Sequence, residues 1–221
     1  MLGFFDYTVW LTYLSLISSV IGITQALSGA GRPMLGMVCL LFCGLFDAFD
    51  GKVARTKKDR PAMENAFGIQ IDSLSDVAAF GILPACIGIS LLHTSPFMAE
   101  HPVVNGIGYT VLLLYALAAL IRLGYFNVTE EERQKAEGGV RKYYTGLPVT
   151  GAALVFPLMV ILWKLCTTDV TILYVLMAAL MGFLFLSKLQ MPKPKLKGIL
   201  VMVAIGAVEF ALLALIHTLR K

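Results

Sequence analysis

Seven long apolar stretches, separated by short polar segments, set the pattern of this chain. A helix needs roughly 20 apolar residues to cross about 30 Å of hydrocarbon. The stretches therefore predict membrane spans at residues 8–27, 34–55, 69–92, 104–127, 146–166, 170–188 and 198–219. Hydrophobic residues make up 58% of the chain and charged residues only 14%, whereas a soluble domain carries about 25% charged residues. The pattern predicts an all-α fold, a polytopic membrane helix bundle.

Lysine and arginine are distributed unevenly between the two sides of this bundle. Cytoplasmic loops of membrane proteins carry the excess of basic residues, so we place the N-terminus in the cytoplasm and expect a multi-pass protein of the cell membrane. No basic segment precedes the first apolar run, so we expect no cleavable signal peptide. In this orientation the cytoplasmic side holds 14 of the 18 basic residues, namely Lys52, Arg55, Lys57, Lys58, Arg60, Arg122, Arg133, Lys135, Arg141, Lys142, Lys188, Lys193, Lys195 and Lys197.

A basic loop with two prolines, at residues 188–197, separates the sixth predicted span from the seventh. We interpret it as the boundary between a membrane domain at residues 1–190 and a basic loop with an appended transmembrane helix at residues 191–221. Its lysines are interpreted as a topology signal, and contact with anionic lipid is the alternative.

Four aspartates lie in spans that are otherwise apolar. Asp47 and Asp50 are three residues apart, and Asp72 and Asp76 are four apart, so each pair shares a helix face. The second span runs into the cytoplasm and the third runs back, so the two faces can meet at the cytoplasmic surface. Carboxylates held together repel one another unless cations neutralise them. All-oxygen ligands favour Mg²⁺ or Mn²⁺, and two such ions can clamp a pyrophosphate.

Two other interpretations of the carboxylates stay open. They could form the proton or sodium site of a transporter, or a charge network that pairs helices. A transporter predicts a continuous water path and internal repeats, whereas this chain has no convincing repeat and gathers its carboxylates on one side of the membrane. Gly51 and Ala54 leave room beside Asp47 for a large ligand, and Arg55 suits a phosphate. The residues favour metal-assisted phosphoryl chemistry.

Residues 47–55 and 68–76 read D-x-x-D-G-x-x-A-R and G-x-x-x-D-x-x-x-D. These motifs resemble the signature of the CDP-alcohol phosphatidyltransferase family, in which a six-helix core binds a CDP-linked lipid. Here a seventh, C-terminal span would be added to that core. The resemblance implies that two divalent metal ions, Mg²⁺ or Mn²⁺, are held by Asp47, Asp50, Asp72 and Asp76, with Asp76 as the general base.

The resemblance also implies a CDP site and a homodimer. Twelve residues separate Arg55 from Gly68, a few more than is usual in the family, and the extra length falls in a polar loop. In the first span, two residues stand where the family often has N-x-x-T. The implied CDP-binding residues are Asp47, Gly51, Ala54, Arg55, Thr12 and Ser15.

Three separated segments resemble the serine-using members of the family. Residues 68–84 are similar to L-D-S-L-A-D-x-x-x-F-G-x-x-P, residues 122–127 to R-L-A-R-F-N, and residues 144–148 to F-x-G-L-P. The resemblance implies transfer of a phosphatidyl group from CDP-diacylglycerol to L-serine, with glycerol 3-phosphate or inositol phosphate as alternative acceptors. Membrane lipids are expected partners and nucleic acid is not. The candidate acceptor-binding residues are Arg122, Asn127, Arg141 and Lys142.

Overall fold

The computed structural model describes residues 3–29, 31–136, 143–166, 169–192 and 196–219. Each of the predicted spans coincides with helix in this part of the chain, so the predicted all-α bundle is confirmed. The helices are α1 (Trp10–Leu27), α2 (Pro33–Ala54), α3 (Ala62–Asp76), α4 (Leu83–Thr94), α5 (Pro96–Glu100), α6 (Pro102–Ala136), α7 (Ala152–Cys166), α8 (Thr171–Leu186) and α9 (Leu196–Leu219).

Five helical stretches are long and apolar enough to cross a membrane, namely Trp10–Leu27, Pro33–Ala54, Ala62–Thr94, Pro102–Arg133 and Lys197–Ile216. Two shorter apolar helices, Val149–Leu162 and Thr171–Leu186, lie between the last two of them. Large apolar side chains such as Ile17, Leu117 and Phe183 face outward and are exposed. Such a surface is stable against lipid and costly against water, so the chain is a multi-pass membrane protein.

Small residues let α1 and α2 approach each other closely. A Cβ atom on Gly22 would lie 2.8 Å from the Cβ of Cys39, so a larger residue would force the helices apart. Ser18 donates a hydrogen bond to the Cys39 carbonyl at 3.0 Å. Close packing through small residues, with polar side chains bonded across helices, is typical of membrane bundles. It places the aspartate-bearing end of α2 beside α1.

A π-helical segment, Val77–Ile82, joins α3 and α4 into one continuous helix. Pro84 has no N–H group, so it cannot donate to the carbonyl of Phe80 four residues earlier. The hydroxyl of Tyr115, on α6, donates to that carbonyl at 2.6 Å. Segments of π-helix are frequent at functional sites, and this one begins directly after Asp76. The sequence predicted the helix but not this change in its geometry.

Two short strands, which the sequence did not predict, connect distant parts of the chain. Strand β1 (Tyr143–Thr145) pairs antiparallel with β2 (Gln190–Pro192), with Tyr144 opposite Met191. Next to the ladder, the N–H of Gly146 donates to the Leu189 carbonyl at 2.7 Å. The segment that leads into α7 is thereby fixed to the segment that follows α8.

Helix α9 packs against α2 and α7. The rings of Phe42 and Phe210 meet edge to face with their centroids 5.8 Å apart. Leu213, further along the same helix, is buried in the common core. In this position α9 forms one wall of the large cavity described below.

Candidate active site

Three aspartates converge where the C-terminal part of α2 meets the second half of α3. One oxygen from each of Asp47, Asp50 and Asp72 lies within 4.8 Å of the other two. Asp50 is buried, and Asp47 and Asp72 are partly buried. Asp76, one turn beyond Asp72, is also buried and shares a cavity wall with Asp47 and Asp72. The predicted meeting of the two helix faces is therefore present in the fold.

The donor set at this cluster fits a divalent cation. It offers three carboxylates, which are hard oxygen ligands of the kind that Mg²⁺ and Mn²⁺ prefer. Within the described residues, no other group of three or more His, Cys, Asp or Glu side chains converges in this way. Carboxylates this close in a membrane protein need positive charge to balance them. Asp47, Asp50 and Asp72 could therefore hold a metal ion.

A cavity of about 790 Å³ opens on one side of the carboxylates. At its polar end it is lined by Asp47, Asp72, Asp76 and Arg122. From there it extends into the membrane span between α2, α7 and α9, where its lining is mostly apolar. The residues of that apolar part include Leu41, Phe42, Leu45, Ala153, Leu154, Met202, Val203, Gly206 and Phe210.

A second cavity, of about 520 Å³, lies on the other side of the same carboxylates. Its lining is polar and basic and comes from the start of α1 and the residues just before it, the end of α2, the loop after it, and α3 as far as Asp72. Gly51, Arg55 and Asp72 line both cavities. A molecule with a charged head and a long apolar portion could therefore occupy both cavities at once, with its charged centre at the aspartates.

The profile of the CDP-alcohol phosphatidyltransferase family matches residues 7–219. The chain belongs to this family. The family resemblance predicted from the aspartate motifs is thereby confirmed. The match includes α9, so the seventh span lies within the matched region.

Several curated members of the family are similar to this chain. A CDP-diacylglycerol–serine O-phosphatidyltransferase of Mycobacterium tuberculosis is 28% identical over 144 residues, which are 65% of this chain and 45% of the relative. The enzyme of the same name from Saccharomyces cerevisiae is 35% identical over 112 residues, covering 50% and 36% of the two chains. An archaetidylserine synthase of Methanothermobacter thermautotrophicus is 33% identical over 142 residues, covering 64% and 49%. The matches to these relatives thus span less than half of their length.

Four of the six residues predicted to bind CDP lie around the second cavity, whereas Asp47 lines only the large cavity. The four are Thr12, Gly51, Ala54 and Arg55. Ser15 is buried one turn further along α1 and lines neither cavity. The carbonyl of Ser15 accepts a hydrogen bond from the Cys43 thiol at 3.3 Å.

Two of the predicted acceptor-binding residues can be placed. Arg122 is buried on α6, lines the large cavity and lies over the Phe126 ring, with 5.3 Å between the guanidinium carbon and the ring centroid. Asn127 donates from Nδ2 to the Ser73 hydroxyl at 2.8 Å, which ties α6 to α3 beside Asp72. Helix α6 continues to Ala136, so Asn127 lies within the helix rather than at its end. Arg141 and Lys142 lie outside the described residues.

Sequence reasoning missed an ionic cluster beside the second cavity. Lys57 donates to Asp6 and to both oxygens of Glu64, at 2.8 and 2.9 Å. Arg60 donates from Nε to Glu64 at 3.1 Å. The hydrogen bond from Lys57 holds the pKa of the Asp6 carboxyl well below its ordinary value. The signal in the sequence was the unusual length of the loop between Arg55 and Gly68.

Proposed function

We propose that this protein transfers a phosphatidyl group from CDP-diacylglycerol to the hydroxyl of L-serine, giving phosphatidylserine and CMP. The observation that carries the proposal is the pair of cavities that meet at the aspartates. The polar, basic cavity suits the nucleotide, and the apolar cavity suits the lipid tails. The pyrophosphate between them would then lie at the carboxylates that fit metal ions.

In this proposal the aspartates have two roles, metal binding and proton transfer. Asp47, Asp50 and Asp72, with Asp76, would hold two divalent ions, Mg²⁺ or Mn²⁺. When bound, these ions neutralise the pyrophosphate and favour departure of CMP. Asp76 accepts the proton of the serine hydroxyl. In the net reaction the serine oxygen bonds to the phosphorus that carries the lipid, and the phosphoanhydride bond to CMP breaks.

Arg122 supports serine as the acceptor. Arg122 lines the same cavity as Asp76, so a serine bound there would offer its hydroxyl to Asp76 and its carboxylate to the guanidinium in this proposal. A planar guanidinium binds a carboxylate through two parallel hydrogen bonds. The curated relatives from M. tuberculosis and S. cerevisiae are named for serine, at 28% and 35% identity, which agrees with this acceptor.

The test is CMP release by purified protein in detergent, with CDP-diacylglycerol, Mg²⁺ or Mn²⁺, and one alcohol at a time. We expect release with L-serine and none with glycerol 3-phosphate or inositol phosphate. Release with glycerol 3-phosphate alone would overturn the serine acceptor and assign Arg122 to the acceptor phosphate. No release with any alcohol would overturn the transferase proposal.

A second measurement isolates Arg122. Replacing it by lysine keeps the charge but loses the two-point geometry, so Arg122→Lys should raise KM for serine and change KM for CDP-diacylglycerol much less. Serine methyl ester, which lacks the carboxylate, should be a poor acceptor for the wild type and be disfavoured less by the variant. Arg133→Lys, further along α6 and outside both cavity linings, is the control. A raised KM for the CDP-lipid with unchanged serine kinetics would contradict this role.

The proposal also places the site at the cytoplasmic face of the cell membrane. This orientation is supported by the 14 of 18 basic residues on the side of the aspartates. The family resemblance implies a homodimer with membrane lipids around it. Cysteine labelling from either side of intact cells tests the orientation of the site. Cross-linking in the membrane tests the homodimer.

A further inference from the structure

In the loop between α2 and α3, the ionic cluster fixes the position of Arg60. Glu64 is buried, with only 4% of its surface exposed, and accepts hydrogen bonds from Lys57 and Arg60. The Arg60 side chain is itself only 11% exposed. Nε, at the base of the guanidinium, is therefore tied to Glu64 at 3.1 Å.

The guanidinium of Arg60 lies against the backbone of Gly68. A Cβ atom on Gly68 would be 2.6 Å from Nη2 of Arg60 and 3.3 Å from its Cζ and Nη1. Only a residue without a side chain allows this close contact. Gly68 is one helical turn before Asp72 and lies on the same face of α3, so the guanidinium packs against the helix one turn before this aspartate.

Nη2 of Arg60 is buried and has no hydrogen-bond acceptor among the described residues. A buried charged donor is costly unless an acceptor satisfies it. Arg60 and Gly68 both line the second cavity, together with Thr12, Gly51 and Asp72. A molecule that occupies this cavity can supply the acceptor that Nη2 lacks.

We propose that Arg60 is a nucleotide-binding residue for the CDP-lipid, donating from Nη2 to an oxygen acceptor of the CMP portion, and that Glu64 and Lys57 are positioning residues for it. This inference rests on the proposed function. Arg60 lines the polar cavity assigned to the nucleotide and not the large apolar cavity. The acceptor oxygen belongs either to the phosphate of CMP or to the cytidine itself.

The first test measures CMP affinity directly, by equilibrium binding to the purified protein with Mn²⁺ and without the acceptor alcohol. A hydrogen bond from a charged donor is worth about 1.5–3 kcal/mol, so Arg60→Gln should bind CMP about 10- to 100-fold more weakly. Arg60→Lys keeps the charge but loses the planar donor geometry, so its CMP affinity should lie between those of the wild type and Arg60→Gln. In turnover, KM for CDP-diacylglycerol should rise and KM for serine should stay unchanged.

The matched control is Arg133→Gln. Arg133 is also an arginine paired with a nearby glutamate, donating to Glu130 at 2.6 Å three residues away, but it lies outside both cavity linings. The Arg133→Gln variant should bind CMP with the affinity of the wild type. If Arg60 served only to pair with Glu64, Arg60→Gln would lower the melting temperature while its folded fraction kept wild-type CMP affinity, and that result would overturn the proposal.

The contact with Gly68 supplies a second, independent test. Gly68→Ala should displace the guanidinium and weaken CMP binding in the wild-type background. In the Arg60→Ala background there is no guanidinium to displace, so the same glycine substitution should cost much less. An equal penalty in both backgrounds would overturn the assigned geometry.

Competition by cytidine and by inorganic pyrophosphate identifies the acceptor. A loss confined to CMP and cytidine assigns Arg60 to the nucleoside, and a loss confined to CMP and pyrophosphate assigns it to the phosphate. If the wild type binds no CMP and releases none, the proposed function fails. If the wild type binds CMP and turns over, but Arg60→Gln binds CMP equally well, only the role of Arg60 fails.

Discussion

Gly146→Ala should lower the stability of the protein and disturb the proposed acceptor site around Arg122. Gly146 has a φ of +78°, in the left-handed region, and its N–H donates to Leu189. An alanine Cβ would lie 2.8 Å from the Phe185 carbonyl oxygen and 3.0 Å from that of Ser187. Both are backbone atoms at the end of α8 and cannot rotate away. The same Cβ would be 3.2 Å from Nε of Arg122.

The size of the effect follows from two contributions. A residue other than glycine is destabilised by about 1–2 kcal/mol in the left-handed conformation, and the collision with fixed carbonyls should bring the total to about 2–4 kcal/mol. A change of 1 kcal/mol shifts the melting temperature of a protein this size by about 2–4 °C, so a decrease of about 4–16 °C is expected. Because Arg122 is displaced as well, KM for serine should rise.

Thermal unfolding in detergent can be followed with a thiol-reactive dye, because Cys43 and Cys86 are buried in the folded protein. Gly124→Ala is the control. Gly124 lies inside α6, where an added Cβ atom would extend into open space, and alanine in a helix is favoured over glycine by about 0.5–1 kcal/mol. Equal melting temperatures for the two variants, or a more stable Gly146→Ala, would refute the reasoning.

Four further results are expected. Asp76→Asn should lower kcat by about 10²–10⁴-fold while CMP binding is largely retained, and a near-normal kcat would exclude Asp76 as the base. EDTA should abolish CMP release with recovery on adding Mg²⁺ or Mn²⁺, and Asp47→Ala should weaken Mn²⁺-dependent CMP binding; full activity after exhaustive chelation would contradict a metal-dependent reaction. Tyr115→Phe keeps the edge-to-face contact with Phe156 but loses the bond to Phe80, so it should lower stability by about 1 kcal/mol and reduce kcat; unchanged melting and turnover would show that the hydroxyl is dispensable.

The helices could be predicted because a membrane restricts the conformations that the backbone can adopt. Without water in the hydrocarbon region, each backbone polar group must be satisfied within the segment, so a long apolar run becomes a helix. The convergence of Asp47 and Asp50 with Asp72 could also be predicted from the sequence. Helical spacing puts each pair on one face, and the antiparallel direction of neighbouring helices brings the two faces to the same membrane surface. Both inferences use only local periodicity and the order of the spans.

The remaining features depend on contacts between segments that are distant in sequence. Gly146 needs its positive φ because the end of α8 passes beside it, and Asn127 finds Ser73 only once α6 is packed on α3. Arg60 meets Gly68 through a loop whose path is set by Glu64. None of these contacts follows a helical or strand period, so a single sequence offers no pattern that predicts them.

The π-helical segment makes the number of residues between Asp76 and α4, as well as their type, important for the geometry of the candidate active site. Each residue of an α-helix advances the chain by about 100°, and a π-helical turn holds one residue more than an α-helical turn. Asp76 stands directly before Val77–Ile82, and α4, with its buried Ile87 and Leu91, stands directly after. Deleting one residue in between would leave every carboxylate in the sequence, yet turn Asp72 and Asp76 away from the cavity by about a quarter of a revolution. In this chain, the position of the carboxylates relative to the membrane core therefore depends on a number of residues, which point substitutions do not change.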